Sequence, residues 1–371
     1  MKGAVGFGVF SLGSDAPRVG FRLAEGILDL AAAGLGQVFE TASLNGFLEL
    51  GRSSWEDTVA RVGDLVDAGA ELVPHEAATA HLPFAVADYV DFYSSLEHAT
   101  NLGRLFRPDA EPLLPNWRHL PVGYHGRAGT IVVSGTPVVR PSGQVKSPRE
   151  DTPRHGPSRR LDIELELGFV VGAGSRQGEA VPASAFRDHV FGVLLVNDWS
   201  ARDIQAWEYQ PLGPFLGKSF ATSIAAWVTP LALLQDRFAT SPRQDPEPLP
   251  YLRVEGDWSL DAELEVELSG TVVSRTNASG LYWTMPQQLA HATVNGASIR
   301  TGDLFASGTI SGPSPGSEGS LIELTWNGAR PVRLADGSER TFLEDGDEVV
   351  LRGHAGDVEF GEVRGRIEPA R

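Results

Sequence analysis

The run Asp91-Phe92-Tyr93-Ser94-Ser95-Leu96-Glu97-His98-Ala99-Thr100-Asn101 sets a carboxylate, a phenol and an imidazole within eight residues, from Asp91 to His98. A packed core has no use for that mixture. A site that moves protons beside a cation does, because imidazole titrates near neutrality and carboxylate oxygens bind hard ions. A second run, Leu161-Asp162-Ile163-Glu164-Leu165-Glu166-Leu167, alternates with period two. Its spacing predicts Asp162, Glu164 and Glu166 on one face of a strand. Three carboxylates on one face repel unless solvent or a cation screens them. The segment is therefore either an exposed strand face or a set of ligands for Mg²⁺ or Ca²⁺.

Three further clusters carry polar chemistry. The apolar run Val193-Leu194-Leu195-Val196 ends on Asn197-Asp198, and Arg202 and Gln205 follow at the three-residue spacing of one helix face. Asp198 is then a helix cap or a metal ligand. The segment from Pro211 to Thr222 delivers Lys218 from a loop held by glycines and prolines. A phosphate-binding loop needs glycine six residues before the lysine, where Leu212 stands, so nucleotide binding is excluded. Lys218 is either solvated or meets an anion. Tyr124, in Pro121-Val122-Gly123-Tyr124-His125-Gly126-Arg127, packs in a turn or hydrogen-bonds a ligand. Glu323, after the polar loop Ala306–Gly312, is expected on a strand over Leu321–Trp326, as an outward residue or as a buried partner for a cation.

The elements around these residues read as mainly β. Runs at Thr130–Ser134, Leu161–Val171, Val190–Val196, Leu260–Leu268, Leu321–Trp326 and Glu348–Arg352 are predicted strands, and Met285–Val294 a helix. Mixed alternating and continuous apolar runs predict a large mixed sheet or β-roll with few helices. The first eighty or so residues look like a small separate unit. Val19–Leu23 and Gly26–Leu30 are predicted strands, and Ser54-Trp55-Glu56-Asp57 has the form of a capping box opening a helix.

Composition bounds the rest. The 371 residues are 42% hydrophobic and 21% charged, enough for a soluble chain with a sizeable core and two domains. With no cysteine there is no disulfide, thiolate ligand or thiol nucleophile. A net charge of −17 disfavours nucleic acid as a partner. No stretch reaches the roughly 18 apolar residues of a membrane span. Met1–Gly8 does not read as a signal peptide, so the cytoplasm is the expected location.

Taken together, the segments Asp91–Asn101, Leu114–Arg127, Asp162–Glu166, Asn197–Gln205, Gly213–Thr222, Tyr282–Gln288 and Gly302–Gly312 resemble the fumarylacetoacetases, from about Val86 to Gly361 and more loosely before it. The Tyr-Ser-Ser-x-x-His segment points to that branch rather than to shorter members of the wider superfamily. The resemblance implies a small SH3-like β-barrel domain over residues 1–85 and a catalytic β-roll domain over 86–371. It implies hydrolysis of the carbon–carbon bond of fumarylacetoacetate, a diketo acid, at the end of tyrosine and phenylalanine breakdown, by a homodimer using Mg²⁺ and/or Ca²⁺. Position by position, it puts the catalytic histidine on His98 and its partner on Glu323. Metal carboxylates fall on Asp91, Glu164, Glu166 and Asp198, with Lys218 and Thr222 beside the cation. Substrate contacts fall on Tyr93, Arg107, Tyr124, Arg202, Gln205, Lys218 and Thr309, of which Arg202, Gln205 and Lys218 also serve catalysis. Asp162 is outside the family's ligand set and is expected to be supporting or solvent-facing. The departures from the family lie in the N-terminal unit and in Pro313–Glu318.

Overall fold

Two apolar strands, Leu165–Val171 and Val190–Asn197, are buried at every position, as their continuous hydrophobic runs require of strands covered on both faces. They form the centre of a 12-stranded sheet in the computed structural model, which describes residues 3–147 and 150–371. Along its spine the strands run Ile27–Asp29, Arg18–Leu23, Ala4–Leu12, Trp227–Pro230, Val190–Asn197, Leu165–Val171, Leu304–Ala306, Tyr89–Phe92 and Gly123–His125. A second, five-stranded sheet orders Thr271–Asn277, Glu263–Leu268, Glu348–Ala355, Val358–Glu368 and Val138–Val139. The architecture is mostly β-sheet with a few helices, as the sequence predicts.

Register places the chemistry. Leu165 pairs with Asn197 and Glu166 with Val196, which brings the Glu164–Glu166 and Asp198 segments together. Leu304–Ala306 lies between Leu165–Val171 and Tyr89–Phe92, with Ala306 opposite Asp91 in a parallel pair. On the far side Asp91 pairs with Tyr124.

The N-terminal strands extend this sheet. Phe7 pairs with Val228, and the Phe7 and Trp55 rings pack on Phe191 at 5.6 and 5.5 Å. Gly6 permits the approach, since a Cβ there would run into the Val228 carbonyl. The pairings follow an open path into the large sheet, and none closes residues 4–29 into a barrel among the described residues. Met1 and Lys2, the start of the segment read for a signal peptide, lie outside the described residues.

Three local expectations are corrected. The helix expected to open at Ser54 spans Arg52–Asp67, because Gly51 at φ 82° turns the chain earlier; Ser54 lies inside it and Trp55, Thr58, Val59 and Val62 face the core. The predicted strand Leu161–Val171 is broken into Leu161–Asp162, paired with Ser200–Ala201, and Leu165–Val171. The strand expected over Leu321–Trp326 is instead a helical turn, Leu321–Leu324. A short apolar run cannot distinguish the two by periodicity, and here the Asp162 carboxylate accepts from the Leu321 and Ile322 N–H groups that open the turn. The helix predicted over Met285–Val294 forms as Met285–Thr293, with Thr284 and Gln287 in a capping box.

Candidate active site

His98 stands in the first turn of the helix Leu96–Phe106 because Ser95 caps it. The Ser95 hydroxyl accepts from the His98 N–H at 3.2 Å and donates to the Ser311 carbonyl at 3.1 Å. The ring is buried, with Nδ1 2.6 Å from Glu323 Oε2. Glu323 also accepts from Ser320 Oγ at 2.7 Å, Ser311 Oγ at 2.9 Å and Asn101 Nδ2 at 3.0 Å. Burial works to raise the Glu323 carboxyl, but the facing imidazole and these donors hold it below its ordinary value. With Nδ1 engaged by a carboxylate, Nε2 is the nitrogen left for the cleft that His98 lines. The Tyr93 ring meets the imidazole edge-on at 5.3 Å.

Beside this pair lie four buried carboxylates. Asp91, Glu164, Glu166 and Asp198 each offer an oxygen, all within 4.8 Å of one another. The expected common face is realised for Glu164 and Glu166 only. Asp162, beyond the strand break, is fully buried and receives Arg202 Nε at 2.7 Å, so it is supporting and not solvent-facing. Lys218 Nζ lies 2.6 Å from Glu164 and 2.7 Å from Asp198. Arg202 Nη1 lies 2.7 Å from Glu164. Burial alone would raise Glu164, yet Lys218 and Arg202 bring it far below the ordinary carboxylate range. At Lys218 burial works to lower the ammonium, but the facing Asp198, Glu164 and Asp91 carboxylates outweigh it and hold the group protonated. A protonated ammonium has no lone pair for a metal, so the place of Lys218 is that of counter-charge to the ligands.

The other two carboxylates lack such relief. Burial raises Asp91 and Glu166 well above the usual range, and the neighbouring charges add to it: Asp198 on Asp91, Asp91 and Asp198 on Glu166. Asp91 Oδ1 and Glu166 Oε1 are buried without a hydrogen-bond partner. Two orphaned carboxylate oxygens in a four-carboxylate cluster fit a hard divalent cation. Both raised groups must be deprotonated to ligate, so cation binding releases protons. Affinity is therefore expected to rise with pH as long as pH lies below the raised values of the two free carboxyls, by up to about tenfold per unit for each proton released, and to level off above them. Calorimetry in buffers of different ionisation enthalpy reads the protons directly; zero release would remove Asp91 and Glu166 from the ligand set.

The remaining predicted residues surround these two halves. Thr222 Oγ1 donates to Asp198 at 2.9 Å and the Tyr124 hydroxyl to the same carboxylate at 3.1 Å. Gln205 meets Arg202 Nη1 through its Oε1 at 3.3 Å. Thr309 and Arg107 line the cleft, Thr309 with its hydroxyl and Arg107 with its Nε buried and unpartnered. Of the two readings of Lys218, the buried one holds: Leu212, Phe215 and Leu216 of its loop are exposed, while the lysine itself is buried among carboxylates. Sequence reasoning missed Asn101, Ser311 and Ser320, the donors that hold Glu323. Asn101 carried a signal, since it follows His98 at the spacing of one helix face.

The chain is similar to known proteins along nearly its whole length. Residues 88–368 match the family model "Fumarylacetoacetate (FAA) hydrolase C-terminal" and residues 5–89 "Fumarylacetoacetase N-terminal". The chain is 47% identical to the fumarylacetoacetase of Rattus norvegicus and 44% to that of Homo sapiens, each over 98% of this chain and 95% of the relative. A solved fumarylacetoacetate hydrolase from Exiguobacterium antarcticum shares the fold at a TM-score of 0.58, covering 99% of both chains at 16% identity.

Proposed function

The chain belongs to the fumarylacetoacetase family of carbon–carbon bond hydrolases, and from that premise we propose that it cleaves fumarylacetoacetate with water to fumarate and acetoacetate, with His98 and Glu323 activating the water. The observation that carries the reading is the 2.6 Å His98–Glu323 contact beside the four-carboxylate cluster. Asp91, Glu164, Glu166 and Asp198 would hold Mg²⁺ and/or Ca²⁺. Such an ion supplies Lewis-acid polarisation of the diketone oxygens.

The protein's own groups account for the proton and charge movements. His98 Nε2 takes a proton from water as the water oxygen bonds to the carbonyl carbon next to the double bond. Glu323 balances the imidazolium so formed and keeps the ring oriented. Arg202 Nη2 is buried without a partner, and it, the Gln205 amide and Lys218 Nζ are the donors for the oxyanion that develops. When the carbon–carbon bond breaks, its electron pair stays with the acetoacetate fragment. That carbon takes up one proton, which the His98 imidazolium supplies as the ring returns to its neutral form. Arg107, Tyr93, Tyr124, Gln205 and Thr309 position the chain of the substrate and its carboxylate ends.

On this reading the enzyme works at the end of tyrosine and phenylalanine catabolism, as a cytoplasmic homodimer. Residues 86–371 form its catalytic domain and residues 1–85 its supporting one. No helix among the described residues is long and apolar enough to cross a membrane. The test is loss of diketone absorbance with fumarylacetoacetate, with fumarate and acetoacetate appearing in equal amounts. Faster turnover of an acylpyruvate would reassign the substrate.

A further inference from the structure

Asp162 takes no part in the chemistry above, yet four donors converge on it. Its Oδ1 accepts from the N–H of Ile163 at 2.8 Å and of Leu321 at 2.7 Å. Its Oδ2 accepts from Arg202 Nε at 2.7 Å and from the N–H of Ile322 at 3.2 Å. The side chain is fully buried. Leu321 and Ile322 open the helical turn that carries Glu323, and the first N–H groups of such a turn need an outside acceptor. Ser320, at the cap position, makes no side-chain cap bond; its hydroxyl goes to Glu323 Oε2 instead. Asp162 therefore caps the turn from 159 residues away and, with the same carboxylate, holds the guanidinium of Arg202. A lysine would not substitute, because the three backbone donors and the Arg202 Nε all require an acceptor and an ammonium has none.

We propose that Asp162 is a positioning residue that fixes Arg202 relative to the Glu323 turn, so that the oxyanion-binding cation and the proton-transfer pair keep one mutual geometry. The proposal rests on the roles assigned above to His98, Glu323 and Arg202. Displacements of about 1 Å in such a constellation cost about 100-fold in rate. One carboxylate thus orients groups on two separate elements.

The test is a double-mutant cycle on the metal-loaded enzyme with Asp162→Asn and Glu323→Gln, reading kcat, KM and the stoichiometry of metal binding. D162N turns one acceptor toward Arg202 into a donor and leaves the side-chain volume nearly unchanged. Its kcat is expected to fall about 100-fold and its KM to rise, with metal stoichiometry and a cooperative thermal transition retained. Because Asp162 acts through Glu323 as well as through Arg202, the fall in kcat of the double variant should be clearly smaller than the product of the two single losses. Losses that simply multiply, or a D162N enzyme with wild-type kcat and KM, would overturn the strut. If E323Q alone keeps wild-type kcat, the His98–Glu323 reading fails, and the strut fails with it. Should D162N not fold, Asp162→Glu keeps the charge and lengthens the arm by one methylene. It enters the same cycle with the same expected outcomes.

Discussion

Replacement of His98 by Ala is expected to lower kcat by about 10²–10⁴-fold, the span of general acid–base catalysis, while the affinity for Mg²⁺ or Ca²⁺ persists. The two effects separate because His98 bonds to Glu323 and not to the four clustered carboxylates. Folding should survive the change, since Glu323 retains donors from Ser311, Ser320 and Asn101 and is not left bare. Steady-state turnover on fumarylacetoacetate and calorimetric metal titration check both halves. Near-normal turnover would rule out water activation at His98. Lost metal binding would mean that the two halves of the site are not separable.

Arg202→Met carries the second large effect, and it falls on both stability and catalysis. Arg202 neutralises Asp162 and Glu164, all three buried. Removing one partner of a buried ion pair leaves the others uncompensated, at a cost of about 3–5 kcal/mol. Lys218 still faces Glu164, so the lower end of that range is expected. Urea unfolding with and without the divalent ion measures the loss. In the fraction that remains folded, kcat/KM should fall by about 10²–10³-fold, the cost of losing one donor to a developing oxyanion. An Arg202→Met enzyme of unchanged stability and turnover would show that the guanidinium is neither the counter-charge nor the donor described.

Much of this site was legible in the chain because the chemistry concentrates in short segments. Asp91, Tyr93 and His98 announce themselves by type and spacing, and period two alone brings out Glu164 and Glu166. The same rule misled at Asp162, since periodicity assumes an unbroken strand and the break at Ile163-Glu164 turns this carboxylate toward Arg202. Glu323 was left open between an outward residue and a buried partner, with its tie to His98 implied only by the family resemblance, and it was put on the wrong element: four residues carry too little pattern, and the acceptor that makes them helical lies elsewhere in the chain. Strand order was the least visible. Leu304–Ala306 is three residues long, and nothing in its composition says that it fills the gap between Tyr89–Phe92 and Leu165–Val171. The supporting hydroxyls of Ser311 and Ser320 were likewise invisible, because serine is common in loops and only the fold aims these two at Glu323.

That three-residue strand has a bearing on how the enzyme comes to life on the ribosome. All four clustered carboxylates have been synthesised once the chain reaches Asp198, yet Asp91 reaches the others only across Leu304–Ala306. The partner of His98 emerges later still, at a separation of 225 residues. Contacts of such range form slowly, after the loops between them have closed. A nascent or prematurely ended chain thus holds neither the complete cluster of four carboxylates nor an imidazole paired with Glu323, and the site is assembled only when nearly the whole polypeptide has been delivered.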